Sequence, residues 1–180
     1  HIPMILAPNR VDSVLVIGVG TGATAKRFTM YDVSSLDLVD IESSVFDAAR
    51  EQFDGSWMDD KKVNEVVADG RSFVRYGTKT YDLISVEIGQ MFRPYSAVFY
   101  TQEFYQDAYT RLSQNGVISQ FMPIASFDQA TFKRAIATFL AVFPSAQLWY
   151  NKDEFILLGF KGEVGSVTSS WARQWFLPGN

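Results

Sequence analysis

The sequence predicts an α/β fold, a doubly wound and mostly parallel sheet that ends in an antiparallel hairpin. Three observations predict it. Val14 to Ile17 is an uninterrupted, β-branched apolar run stopped by a glycine, the pattern of a strand buried on both faces. Apolar runs of strand length then alternate with helical segments as far as Met122. The last two runs, Gln147 to Tyr150 and Glu154 to Phe160, are separated only by Asn151-Lys152-Asp153, a hairpin signature.

The first strand leads into Gly18-Val19-Gly20-Thr21-Gly22. Glycines there permit a tight turn and let a ligand approach the backbone without meeting a Cβ. Helical sequence follows from Ala23, so a helix amino terminus points at that ligand. The second strand, Leu36 to Ile41, carries Asp40 at its end, 22 positions after Gly18. An acid so placed can accept hydrogen bonds from both ribose hydroxyls, and an adenosine-containing cofactor is the ligand that fits. Two classes compete for the turn. Gly18-x-Gly20-x-x-Ala23 satisfies the dinucleotide fingerprint, and Gly18-x-Gly20-x-Gly22 equally fits S-adenosylmethionine enzymes.

Ser43 and Ser44 offer N-caps for a short helix over Val45 to Phe53. Gly55 to Lys62 reads as a polar loop and Val63 to Ala68 as the third strand. Asp69-Gly70 makes a turn, Arg71 to Tyr76 a short helix, and Tyr81 to Val86 the fourth strand. Ile88 to Tyr100 has no clear period and reads as a long loop. Thr101 caps a helix running to Leu112, Asn115-Gly116 turn the chain, and Val117 to Met122 form the fifth strand. Asp128 opens a longer helix whose apolar stripe is Phe132, Ile136, Phe139, Leu140 and Phe143, ended by Pro144. The closing hairpin separates the cofactor classes: a dinucleotide domain repeats a second mononucleotide half, whereas a methyltransferase-like domain ends with an inserted antiparallel strand. Residues 1–160 form one domain. The tail, 161–180, is Gly/Ser-rich and then aromatic at Trp171, Trp175 and Phe176.

Composition excludes several classes. The net charge is −4, with no Lys/Arg cluster, which argues against nucleic acid as a partner. Zero cysteines remove disulfides, thiol nucleophiles and zinc–thiolate sites. The one histidine, His1, reads as a plain terminus and leaves no histidine triad or metal cluster, so no metal is expected. No apolar run approaches the roughly 20 residues of a membrane span. The opening His1-Ile2-Pro3-Met4 lacks an initiator methionine and suggests a piece of something longer.

These residues resemble the spermidine synthase family, aminopropyltransferases with a Rossmann-like fold of the class I S-adenosylmethionine methyltransferase type. The resemblance runs from about Val14 to Phe160. Leu38-Val39-Asp40-Ile41-Glu42 looks like the family's ribose-binding strand end, and Val67-Ala68-Asp69-Gly70-Arg71 like its adenine-binding Asp-Gly element. Tyr81-Asp82-Leu83-Ile84-Ser85-Val86-Glu87 is similar to the strand carrying the catalytic acid. Phe99-Tyr100-Thr101-Gln102-Glu103-Phe104-Tyr105 is similar to the helix after the active-site loop. The opening segment looks like a subgroup fused to bacterial membrane segments.

The resemblance implies that Gly18, Gly20, Gly22, Asp40, Ile41, Asp69 and Gly70 bind decarboxylated S-adenosylmethionine, or S-adenosylmethionine itself, without a metal. It implies Glu87 as the base, with Gln90 and Tyr100 toward a putrescine-like amine acceptor. It further implies a homodimer, and a cytoplasmic domain within a parent protein that carries an amino-terminal or membrane region. Two departures stand out. Where the family has two aspartates three apart after the fourth strand, this chain has Glu87 and Gln90, and Arg93 adds a positive charge to the same loop. Structural readings compete at single residues: Asp40 as a solvated strand-end acid, Asp69 as a turn residue, Glu87 paired with Arg93, and Tyr100 in packing. A small-molecule methyltransferase and a non-catalytic nucleoside-binding domain are the alternative functions.

Overall fold

Alternation along a strand decides the layers, because successive side chains face opposite ways. In β1 (Ser13–Ile17), Val14 and Val16 join one core while Leu15 and Ile17 join a second on the other face. The computed structural model describes residues 1–89, 93, 95–152 and 154–164 of the 180-residue chain. The first core is covered by α1 (Ile2–Leu6), α2 (Ala23–Phe28) and α3 (Ser43–Gln52), through Met4, Leu6, Phe28, Phe46 and Ala49. The second is covered by α4 (Gly70–Tyr76), α5 (Gln102–Arg111) and α6 (Gln129–Leu140), through Val74, Phe104, Tyr105, Ala135 and Phe139. No helix among the described residues is long and apolar enough to cross a membrane.

The remaining strands are β2 (Ser35–Asp40), β3 (Val63–Val67), β4 (Tyr81–Val86), β5 (Leu112–Pro123), β6 (Gln147–Asn151) and β7 (Glu154–Phe160). The sheet has seven strands in the order β3-β2-β1-β4-β5-β7-β6. β1 to β5 are parallel, and β7 runs antiparallel to both β5 and β6. The chain winds outward from β1 to β3 and then restarts beside β1 with β4. That reversal is the switch point where open α/β sheets hold ligands.

Several local expectations are corrected. Ser43 and Ser44 do not cap α3. Glu42 occupies the cap position, and its N–H donates to Asp40 Oδ1 (3.2 Å), so the strand-end acid shapes the helix entry. The Gly55–Lys62 loop contains a 3-10 turn, Ser56–Asp59, that buries Met58. The long loop after β4 likewise ends in a 3-10 turn, Ser96–Tyr100, with Phe99 and Tyr100 buried. Asn115 and Gly116 do not precede a strand but lie within β5. Leu112 pairs with Tyr81 and Val117 with Leu83, so the residues between bulge out, with Asn115 at φ 63°. Lys161 clamps that bulge, its C=O accepting from Asn115 N–H (2.7 Å) and its N–H donating to Gly116 C=O (2.9 Å). Leu140 leaves the α6 stripe and is exposed, because Phe139 and Phe143 already fill the contact with the sheet. Trp171, Trp175 and Phe176 lie outside the described residues.

Candidate active site

The switch point brings two strand ends together. Gly18 N–H donates to Val39 C=O and Glu87 N–H to Ile17 C=O, both at 2.9 Å, so the glycine turn, Asp40 and Glu87 share one edge of the sheet. Gly18, Gly20 and Gly22 all have positive φ (84°, 53° and 76°), the region that disfavours a side chain. Their surroundings differ. A Cβ on Gly18 would lie 2.5 Å from Ile88 Cδ1 and one on Gly22 2.9 Å from Trp57 Cζ2, whereas one on Gly20 meets nothing within 4 Å. Gly18 and Gly22 are therefore packing glycines as well, and Gly20 faces open space. Gly22 N-caps α2 in the left-handed conformation and is not part of the cavity wall.

That open space is a cavity of about 1010 Å³. Its wall includes Gly18 to Thr21, Asp40, Glu87, Ser119 and Phe121 of β5, and Glu154 and Ile156 of β7. Drug-sized ligands occupy pockets of roughly 300–1,000 Å³, so a nucleoside and a second small molecule fit together. His1 also lies on this wall, its Nδ1 2.7 Å from the Tyr31 hydroxyl.

Asp40 closes β2 with both oxygens engaged: Oδ2 accepts from Val19 N–H (2.9 Å) and Oδ1 from Glu42 N–H (3.2 Å). One carboxylate thus pins the glycine turn and still fronts the cavity. Glu87 is held by hydroxyls, with Thr24 Oγ1 donating to Oε2 (3.1 Å) and Ser85 Oγ to Oε1 (2.7 Å). Burial pushes its pKa above the ordinary glutamate value; the two hydroxyls oppose this and the charge of Glu154 adds to it. No ion pair joins it to Arg93, although Arg27 and Arg93 both line the cavity. A half-buried carboxylate with a raised pKa in a ligand-sized cleft is poised to accept a proton.

The other expected residues are placed differently. Asp69 is the N-cap of α4, its Oδ1 accepting from Ser72 N–H (2.7 Å), and it borders a separate hollow of about 310 Å³ with Arg71 and Arg75. Gly70 is buried, and a Cβ there would lie 2.5 Å from Ile17 Cγ2, so close packing demands this glycine. Ile41 lies just beyond β2, 63% exposed and off the cavity wall. Tyr100 is buried beside the cavity without lining it. Its hydroxyl, which carries one proton, lies 2.7 Å from Ile88 C=O and 3.2 Å from Phe121 C=O, bracing the ends of β4 and β5. Gln90 lies outside the described residues. Sequence reasoning missed Thr24, Ser85 and Glu154. Ser85 had a signal, since it sits two positions before Glu87 on the same face.

Comparison with known proteins agrees with this geometry. Residues 1–151 match the model of the spermine/spermidine synthase domain. The polyamine aminopropyltransferase of Clostridium beijerinckii is 36% identical over 154 residues, covering 83% of this chain and 54% of that protein. This chain therefore spans about half the length of that relative. A crystal structure of spermidine synthase in complex with the transition-state analogue AdoDATO superposes with a TM-score of 0.80 at 29% identity, over 90% of this chain and 58% of that one. Human methyltransferase-like protein 13 in complex with SAH shares the fold, with a TM-score of 0.71 at 22% identity over 87% of this chain and 74% of its own. With the family model matched across most of its length, and the switch-point site built from the residues that carried the resemblance, this chain belongs to the spermine/spermidine synthase family.

Proposed function

We propose that this domain binds decarboxylated S-adenosylmethionine and transfers its aminopropyl group to a putrescine-like amine. One observation carries the reading: Glu87, with its raised pKa, shares a single cavity with the glycine turn and Asp40. The turn fits a nucleoside, since Gly20 leaves open space on the cavity wall and Asp40 fronts the same space. Asp40 is the ribose acid in this reading; Asp69 caps α4 beside a separate hollow and is not needed for it.

Amines are protonated at neutral pH and cannot attack. Glu87 takes a proton from the acceptor ammonium, and its raised pKa narrows the gap between base and acid. The freed nitrogen lone pair forms a bond to the methylene beside the sulfonium, and the C–S bond breaks with its electron pair on sulfur. The products are 5′-methylthioadenosine and a longer amine. The sulfonium is already an activated leaving group, so most of the acceleration comes from alignment. Thr24 and Ser85 hold the Glu87 carboxylate in one orientation for it.

The test is turnover by the full-length protein with putrescine and either decarboxylated or ordinary S-adenosylmethionine. Methylthioadenosine formed only from the decarboxylated form supports aminopropyl transfer. S-adenosylhomocysteine formed from the ordinary form would instead indicate a methyltransferase. Binding of methylthioadenosine without turnover of either would indicate a nucleoside-binding domain.

A further inference from the structure

Glu154 is the first residue of β7 and pairs with Pro123, the last residue of β5. Because β7 runs antiparallel, its first residue reaches the sheet edge where β4 ends and Glu87 follows. Glu154 lines the same cavity as Glu87. Among the described residues it forms no ion pair or side-chain hydrogen bond, with Arg27, Arg93 or any other group. A half-buried carboxylate without a partner, close enough to Glu87 for the two charges to act on each other, suits a cationic ligand.

The spacing indicates what arrives. β4 and β7 are separated only by β5, neighbouring strands lie about 4.8 Å apart, and Glu154 stands two residues, about 6.6 Å, beyond the level of Glu87, which puts the two acids roughly 12 Å apart at the backbone. A four-carbon diamine spans about 6 Å between nitrogens, by ordinary bond lengths. Each ammonium adds a charge-assisted hydrogen bond of about 2.8 Å. Between the acids the wall is apolar: Phe121 and Ile156 are paired in register on β5 and β7, and both line the cavity. Two acids flanking an apolar stretch suit two ammonium groups joined by methylenes.

We propose that Glu154 binds the distal ammonium of the acceptor, making this cleft selective for short diamines over monoamines. The hairpin thus supplies the second carboxylate that Gln90 lacks in the sequence. This deepens the aminopropyl-transfer reading and rests on it.

The experiment compares the full-length wild type with Glu154→Gln and Glu154→Asp. It measures calorimetric binding of putrescine and of 1-aminobutane in the presence of methylthioadenosine, and aminopropyl turnover of each amine. Glu154→Gln is expected to weaken putrescine binding and raise its KM at least tenfold, leaving 1-aminobutane and methylthioadenosine binding unchanged. Glu154→Asp, with a shorter side chain, is expected to shift preference toward the five-carbon diamine. Equal losses for the diamine and the monoamine, or no change in either, would overturn the proposal. Wild type that binds putrescine but makes no methylthioadenosine would overturn the transfer reading alone, and the Gln variant's diamine binding would still decide the role of Glu154. Wild type that binds no diamine would overturn this inference directly.

Discussion

Asp40 and Glu87 are both carboxylates at strand ends, yet their surroundings give them separate work. Asp40 meets backbone N–H groups and fixes the turn; Glu87 meets two hydroxyls and is held with a raised pKa. Glu87→Gln keeps the shape and removes the base, so kcat is expected to fall about 10²–10⁴-fold, the usual worth of a positioned general base. Methylthioadenosine affinity in a calorimeter should stay at the wild-type value. At Asp40, Ala and Asn variants separate the two duties. Asp40→Asn keeps an acceptor for Val19 N–H but turns its amide N–H toward Glu42 N–H, so it should lower the melting temperature less than Ala does while losing part of the nucleoside affinity. Asp40→Ala should lose the affinity and destabilise the fold by about 1–3 kcal/mol, because the Val19 N–H of the turn loses its acceptor. Wild-type affinity in Asp40→Ala would sink the ribose assignment. Both acids were legible in the sequence because each ends or follows an apolar run. Thr24 was not, because its bond to Glu87 spans 63 positions and exists only once β1 and β4 are neighbours.

The elements show the same division between local and non-local signals. The seven strands and the hairpin were readable because buried strands write their own pattern, and Thr101 and Asp128 cap α5 and α6 as their residue types suggest. The 3-10 turns were not readable, since Met58, Phe99 and Tyr100 are buried by distant partners and show no period. The glycine turn gave its conformation away but not its division of labour. That division is testable. Gly18→Ala sets a Cβ against the terminal methyl of Ile88, which must swing aside into the cavity, and should lower the melting temperature modestly more than Gly20→Ala, whose Cβ meets no protein atom. Its cost in stability should be only the left-handed backbone, about 1–2 kcal/mol, while methylthioadenosine binding falls at least as far as in any folded Gly18 variant. Thermal melts with ligand titration distinguish the two, and a Gly20→Ala protein that binds normally would move the nucleoside away from the turn.

Across the whole molecule, the carboxylates sort by sheet edge. At the amino-terminal edge of the parallel strands, Asp37 accepts from Tyr81, Lys79 and Asn64, and Asp82 accepts from Ser13, Ser113 and the Asp12 N–H. Burial alone would raise both pKa values, but these donors outweigh it and hold them below the usual carboxylate range. At the carboxyl-terminal edge burial wins, and Glu87 is raised. The consequences for stability have opposite signs. Glu87 binds its proton more tightly folded than unfolded, so its favourable contribution is complete below the unfolded value and is lost as pH rises through the folded one. Asp37 and Asp82 contribute above their unfolded value and lose that contribution as pH falls through their depressed folded values. Urea unfolding across pH should therefore show stability rising as pH drops through the raised folded value of Glu87 toward about 4.3, the ordinary glutamate value, and then falling below about 3.9, the ordinary aspartate value. Glu87→Gln should flatten the upper limb, making the variant the more stable protein at neutral pH, and leave the acid limb unchanged. Tyr81→Phe should lower the acid limb's plateau by about 1–3 kcal/mol, because Asp37 loses a donor. An unaltered upper limb in Glu87→Gln would mean that Glu87 is ionised in the fold without strain, and the argument from its raised pKa would fall with that result.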